Sequence, residues 1–364
     1  MKIGVIGNYG ATNSGDDAIL TAILKIVSGH QVTIFSAHPE AWESTSNTTS
    51  VALFPLGVRS FFKYKFKPSL EALKKVDVVI LGGGGLFQDK RLYACFLWAW
   101  QLFWVRRLKK PLFIYATGVG PLETILGRWL TRISYRHANV ITVRDLESAE
   151  CLKRIGIKKD VRVVADPVFL NPKPEKADFR TKKLFMISLR PWLNKDPKII
   201  HFFGEFLAYL KAEREAEFVF VCMQAEKESD LKIIKPLIRR VGGRIYLPKN
   251  FSELLEQVEK AEFAIGMRYH FMIASLLTHT PLIPLSYTTK TTSLFLGTPL
   301  EKQIIPIEKL SLTELKENFK ALSIGYNNTI VYQKVLAKNL SERAEEGAEV
   351  LREFLKTFDP KNFQ

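Results

Sequence analysis

Gly266-Met267-Arg268-Tyr269-His270 sets a guanidinium and an imidazole almost side by side, directly after an apolar run and at the start of a helical pattern. An imidazole can give or take a proton near neutral pH. A guanidinium offers a planar fork that matches phosphate or carboxylate. A histidine standing alone is more often structural than catalytic, so His270 gains weight from the cations placed as it is. Ser286-Tyr287-Thr288-Thr289-Lys290 supplies Lys290 after the next apolar run, and Ser188-Leu189-Arg190-Pro191-Trp192 supplies Arg190 after an earlier one. Thr142-Val143-Arg144-Asp145 repeats the theme in the first half, where an ion pair between Arg144 and Asp145 is the plainer alternative. Together these residues suit acid–base chemistry on a substrate carrying negative charge.

Three glycine turns accompany the cations. Gly7-Asn8-Tyr9-Gly10-Ala11-Thr12-Asn13-Ser14-Gly15-Asp16-Asp17 leads from an apolar run into a helical pattern. Asn8, Gly10, Asn13 and Gly15 are candidates for contacting substrate oxygens there, since glycine lets backbone N–H groups approach an anion at a helix start. The alternative is a tight turn with Asp16 or Asp17 capping the helix. The spacing fits neither a dinucleotide fingerprint nor a P-loop, and no acid ends the second run at Phe35-Ser36-Ala37-His38, which disfavours a nicotinamide enzyme. Gly82-Gly83-Gly84-Gly85-Leu86-Phe87-Gln88-Asp89 reads as a close approach to a ligand rather than as packing, with Gly83, Gly84 and Gln88 as candidates; a flexible loop is the alternative. Thr117-Gly118-Val119-Gly120-Pro121 adds Gly118.

The elements that must position these residues alternate. Lys2–Gly7, Gln31–Ala37, Val76–Leu81, Pro111–Ala116, Val140–Arg144 and Val161–Ala165 are apolar and rich in β-branched residues, as parallel strands covered on both faces are. Asp17–Ser28, Leu92–Lys109, Ile125–His137 and Leu146–Ile155 carry helical patterns between them. The polar, proline-rich stretch Asn171–Asp178 predicts a boundary, after which the alternation restarts. The expected fold is therefore α/β, with two Rossmann-like domains facing each other across a cleft in the glycosyltransferase-B manner. An N-terminal domain over 1–172, a C-terminal domain over 180–330 and a closing helix over 331–364 are expected. Every candidate residue above then falls at the carboxyl end of a strand.

Composition narrows the rest. The 364 residues suffice for two cores, and the three cysteines form no metal or disulfide pattern, which fits a reducing cytoplasm. Met1–Gly7 runs into a strand pattern without an apolar leader segment, so export is not expected, and the apolar run Leu92–Val105 is too short to span a bilayer. A net charge of +16 is concentrated between Val58 and Lys110, where Arg59, Lys63, Lys65, Lys67, Lys74, Lys75, Lys90, Arg91, Arg106, Arg107, Lys109 and Lys110 face only Glu71, Asp77 and Asp89. Such a surface attracts polyanions, or is simply solvated. No recognisable nucleic-acid-binding motif accompanies it, so nucleic acid is not expected as a partner.

Taken in order, the first glycine loop, Gly-Gly-Gly-Gly-Leu-Phe-Gln-Asp, Gly-Val-Gly-Pro-Leu, Val-Arg-Asp-x-x-Ser, Asp166-Pro167, Arg-Pro-Trp and Gly-Met-Arg-Tyr-His resemble the polysaccharide pyruvyl transferase family, with its CsaB-like branch nearest. The resemblance runs over about residues 3 to 295. It implies a glycosyltransferase-B-like fold and transfer of a pyruvyl group from phosphoenolpyruvate to a sugar as a ketal. In the CsaB-like branch the acceptor is an N-acetylmannosamine residue on a lipid-linked cell-wall precursor. The donor would be bound by Arg144, Arg190, Arg268, His270 and Lys290, with His270 as acid or base and Asp16 or Asp17 able to activate the acceptor hydroxyl. Phosphoenolpyruvate is then a co-substrate, and neither a cofactor nor a metal is required. Thr288 departs from the family pattern, which has Asp at that place. A lipid-linked acceptor would bring the protein to the inner face of the cytoplasmic membrane, through the basic aromatic segments 59–67 and 91–110; burial of the Trp-rich helix in a core is the alternative. A nucleotide-sugar glycosyltransferase of the same fold and a non-catalytic basic binding protein are the competing functions.

Overall fold

The computed structural model describes residues 1–10, 14–42, 45–57, 66–89, 92–171, 180–192, 195–225 and 229–358. Asn13, residues 59–65 of the basic segment, Lys90, Arg91, residues 172–178 of the linker and the side chain of Lys290 lie outside the described residues. The chain divides into two compact units. One holds the amino-terminal half to Leu170 together with the residues from Ser341 on; the other holds Asn171–Leu340 and also Ser14 and Gly15.

The first unit is a seven-stranded sheet in the order β3-β2-β1-β4-β5-β6-β7. Its strands are β1 (Lys2–Ile6), β2 (Gln31–Ser36), β3 (Thr48–Ala52), β4 (Val78–Gly82), β5 (Leu112–Thr117), β6 (Val140–Val143) and β7 (Val161–Val163), paired in parallel throughout. Every residue of β4 and β5 is buried, which is why these runs are uninterrupted apolar sequence. The helices are α1 (Ser14–Ile26), α2 (Phe66–Lys75), α3 (Leu92–Arg107), α4 (Ile125–Tyr135) and α5 (Leu146–Arg154). Thr124 and Asp145 start α4 and α5 by accepting from the backbone N–H of Gly127 and Ser148.

Two elements of this unit escape the sequence pattern. β3 is an edge strand of Thr and Ser, and α2 begins inside the basic aromatic run. Phe66 packs its ring against Phe54 and Trp104 in the core, with ring centroids 5.2 and 4.8 Å apart. Trp98 is buried and Trp100 donates to the carbonyl of Pro55. The tryptophans of α3 thus belong to the core, and the membrane reading of 91–110 loses those residues.

The second unit repeats the topology with six parallel strands ordered β10-β9-β8-β11-β12-β13. They are β8 (Thr181–Ser188), β9 (Glu217–Val221), β10 (Arg244–Tyr246), β11 (Ala261–Gly266), β12 (Leu282–Ser286) and β13 (Ile305–Pro306). Its helices are α6 (Asp196–Arg214), α7 (Leu231–Val241), α8 (Phe251–Val258), α9 (Tyr269–Leu277), α10 (Thr289–Ser293) and α11 (Leu312–Ile324), and α12 (Tyr326–Thr357) closes the chain. A phenylalanine-rich core of Phe185, Phe203, Phe206, Phe218, Phe220 and Phe263 lies under the sheet. In each sheet the order reverses beside the first strand, at β1/β4 and at β8/β11. Doubly wound sheets bind ligands at the strand carboxyl ends where this reversal opens a crevice.

Candidate active site

In the first unit the described residues of the loops at the reversal are tied to α1. Asn8 Nδ2 donates to Asp16 Oδ2 at 2.8 Å, and the N–H of Gly10 donates to Asp17 Oδ1 at 2.8 Å. Asp16 and Asp17 therefore reach back and hold the loop that precedes them. The glycines after β4 answer to the same helix. A methyl group on Gly83 would meet Ile19 Cγ2 at 2.1 Å, one on Gly82 would meet Ile23 at 2.4 Å, and one on Gly84 would meet Asp16 Oδ1 at 3.0 Å. Gly83 and Gly84 also take φ of +50 and +73, open chiefly to glycine. This corrects the reading of the glycine run as unexplained by packing: α1 lies so close that side chains at 82 and 83 would collide with it. Gln88 turns back to donate to the carbonyl of Gly85 at 3.2 Å.

Asp17 is partly buried beside Asp16, and burial pushes its carboxyl up to about 6, offset by the Gly10 hydrogen bond and reinforced by Asp16. That places a titratable carboxyl next to a neighbour of like charge, a setting that suits a general base. Tyr9, fully buried, donates to the carbonyl of Gly82 at 3.0 Å and ties the two loops together.

Arg144 stands at the carboxyl end of β6 with its guanidinium over Gly118, where a methyl group would lie 3.0 Å from Nε. It is buried and paired, Nη1 to Asp166 Oδ2 at 3.0 Å and Nε to Asp145 Oδ2 at 3.6 Å. The ion pair with Asp145 is thus present, and Asp166 is the closer partner. Two carboxylates offset this cation and fix its plane.

The second unit collects cations and imidazole at its reversal. Arg190 follows β8, donates from Nη1 to Tyr287 Oη at 3.2 Å and lies 4.9 Å from the centroid of the same ring. Trp192 packs against Tyr287 with centroids 4.7 Å apart. Arg268 precedes α9 and is forked onto buried Asp230, with Gln224 Oε1 accepting from Nη2 at 3.2 Å. Asp230 is held in turn by the N–H groups of Met223 and Gln224.

His270 lies in the first turn of α9, buried, with its ring against Gly15: a methyl group there would meet Nδ1 at 2.0 Å. Gly15 is thus required by the imidazole, an explanation different from contact with a substrate oxygen. Ser14 lies beside Met223, its Oγ 4.0 Å from the sulfur. Thr288 precedes α10, and its carbonyl accepts from Ser286 Oγ at 3.0 Å and Thr291 Oγ1 at 2.7 Å.

Sequence reasoning passed over Asp230 and Tyr287, the groups that orient Arg268 and Arg190. Asp230 is hidden in the polar run Lys227-Glu228-Ser229-Asp230, and its one signal is an acid immediately before a helical pattern. Among the described residues no cluster of three or more His, Cys, Asp or Glu side chains is disposed to hold a metal ion.

Comparison with known proteins agrees on fold and family. Solved structures align over nearly the whole chain at low identity. Anabaena Alr3699/HepE in complex with UDP matches at 11% identity, covering 98% of this chain and 100% of its own, with a TM-score of 0.64. UDP-GlcNAc 2-epimerase from Neisseria meningitidis bound to UDP-GlcNAc matches at 15%, covering 98% and 100%, with a TM-score of 0.62. Phytolacca americana UGT2, complexed with UDP-2fluoro-glucose and pterostilbene, matches at 12%, covering 98% and 99%, with a TM-score of 0.57. At such identities the likeness is one of fold, the glycosyltransferase-B type. No curated protein matches the sequence. The family model described as polysaccharide pyruvyl transferase matches residues 13–289, a span that takes in both reversals' second strands and His270. The chain belongs to the polysaccharide pyruvyl transferase family.

Proposed function

We propose that this transferase moves the pyruvyl group of phosphoenolpyruvate onto two hydroxyls of one sugar residue, forming a ketal and releasing inorganic phosphate. The observation that carries the reading is the convergence of Arg190, Arg268 and buried His270 at the strand ends of the second sheet, in a chain of this family. Phosphoenolpyruvate bears a phosphate and a carboxylate, and oriented guanidinium groups recognise both. Lys290 is assigned to the same anion, and Arg144 is the first unit's cation for a substrate anion.

The chemistry needs one acid and one base. Protonation of the methylene carbon leaves a cationic C2, which the first sugar hydroxyl attacks as it loses its proton. The C2–O bond to phosphate then breaks, and the second hydroxyl closes the ketal, also losing a proton. His270 is assigned as the acid, and Asp17 or Asp16 as the base that takes an acceptor proton. The acceptor is assigned as a sugar on a lipid-linked glycan, of the N-acetylmannosamine type.

The test is incubation with phosphoenolpyruvate and lipid-linked glycans, with mass detection of an added pyruvyl ketal. His270→Ala and Arg144→Ala are expected to lose turnover while remaining folded, and near-parental turnover in both would overturn the assignment. Fold likeness to proteins solved with UDP supports a second reading, sugar transfer from a nucleotide donor. Release of UDP from a UDP-sugar, with no phosphate released from phosphoenolpyruvate, would decide for it.

A further inference from the structure

The surface of α3 and α4 is chemically one-sided. Between Lys90 and Leu122, and again between Thr124 and Arg144, there is no acidic residue. The two helices pack side by side, and six of the fourteen large apolar side chains exposed among the described residues lie on them. Tyr93, Phe96 and Phe103 face outward from α3, at 59, 41 and 48% exposure. Ile125, Leu126 and Trp129 face outward from α4, at 84, 39 and 54%. Exposed cations follow on the same elements: Arg106, Arg107 and Lys109 at the end of α3, and Arg128, Arg132 and Arg136 along and after α4. Between the helices runs a shallow groove of about 60 Å³, whose lining includes Leu102, Val105 and Ile133 with Arg106, Lys110 and His137.

We infer that this face docks the protein on an anionic lipid surface. Aromatic side chains that are apolar yet exposed suit the headgroup boundary, and cations without interspersed acids suit its negative potential. A second copy of this chain is the poorer occupant. A two-fold interface would set this face, on which cations far outnumber the exposed acid Glu123, against itself, and like charges repel. Each helix follows its strand, so its amino end lies at the strand carboxyl ends, the edge that carries the glycine loops. Tyr93 and Phe96 of α3 and Ile125, Leu126 and Trp129 of α4, which stand in the first turns, thus lie toward that edge. The inference stands apart from the pyruvyl-transfer reading, although a lipid-linked acceptor would profit from it.

The test uses the full-length protein and vesicles of phosphatidylcholine alone or with phosphatidylglycerol, without donor or acceptor. Two face variants are compared, F96S/F103S/W129S and R106Q/R132Q/R136Q, with circular dichroism to establish that each is folded. The parent is expected to sediment with the anionic vesicles at low salt and not with the neutral ones. Each variant is expected to bind at least tenfold more weakly, and tryptophan emission should shift to the blue in the parent but not in Trp129→Phe. Equal sedimentation of parent and variants would overturn the proposal, as would no vesicle binding by the parent. So would a parent dimer that the aromatic variant dissociates, or tighter binding to single-stranded DNA than to anionic vesicles. Loss of vesicle binding with pyruvyl transfer intact on a water-soluble glycan would separate this inference from the proposed chemistry.

Discussion

The two sheets share one strand order and place opposite chemistry at the point where it reverses. Beside β1 and β4 stand carboxylates and glycines, and the loops are taken up by α1 packing onto them. Beside β8 and β11 stand Arg190, Arg268 and His270, each oriented by a side chain or backbone that leaves it at a strand end. Topology therefore selects the place for such groups but not their charge: carboxylates stand at the reversal of the first sheet, and cations with an imidazole at that of the second.

The sharpest way to break this comparison is at His270. His270→Ala is expected to reduce kcat by about a hundredfold to ten-thousandfold, the range of a lost general acid, with the melting temperature little changed. Gly15→Ala should follow the same direction, because its Cβ would occupy space within 2.0 Å of the imidazole and displace it. If Gly15→Ala keeps full activity, His270 does not need its observed place.

In the first unit the corresponding glycine should report on stability instead. Gly83→Ala combines a positive φ with a 2.1 Å collision against Ile19, within buried packing that cannot relax freely. A loss of about 2–4 kcal/mol is expected from overpacking and backbone strain together, measurable by denaturant unfolding. A stable Gly83→Ala with impaired turnover would instead restore the glycine run as a ligand contact.

A smaller effect is expected at the residue that aims a cation. Asp230→Asn leaves Arg268 without its buried counter-charge, and the KM for phosphoenolpyruvate should rise about tenfold, equivalent to about 1.4 kcal/mol, with kcat nearly unchanged. A fall in kcat at constant KM would show that Asp230 acts on chemistry rather than on donor binding.

Asp17 gives the smallest change and a defined pH window. Its carboxyl titrates at about 6 in the folded protein, against about 3.9 in an unfolded chain. Between these values the folded state binds more protons, so stability falls as pH rises from about 4 to 6 and is then constant. Asp17→Asn can still accept from Gly10, and should be more stable than the parent by about 1 kcal/mol above pH 6, after discounting for partial exposure. Below about pH 4 the gain should vanish. Urea titrations at pH 4 and pH 7.5 read the difference, and an equal gain at both would assign it to something other than ionisation.

Much of this arrangement was legible in sequence because buried parallel strands are uninterrupted apolar runs, which locates the polar residues that follow them at strand ends. Arg190, Arg268 and His270 were found by their places after such runs. β3 and β13 were not: one is an edge strand of Thr and Ser, the other two residues long, and neither carries a period. The purpose of the glycines was misread for a different reason. Gly82 to Gly84 announce a close approach, but sequence does not say whether a ligand or Ile19 and Ile23 does the approaching. Asp166 and Asp230 were opaque as partners because an ion pair across 22 or 38 residues leaves no spacing signature.

The last helix has a consequence for synthesis. Phe354 packs against Phe113, Arg343 donates to the carbonyl of Val164, and Gly347 lies close against Val164, where a methyl group would stand 3.1 Å from its Cβ. These contacts complete a sheet whose strands all lie before residue 164, yet the residues that supply them are made almost 180 residues later. On the ribosome, then, the strands that are translated first wait for residues made almost 180 positions later before their core is sealed.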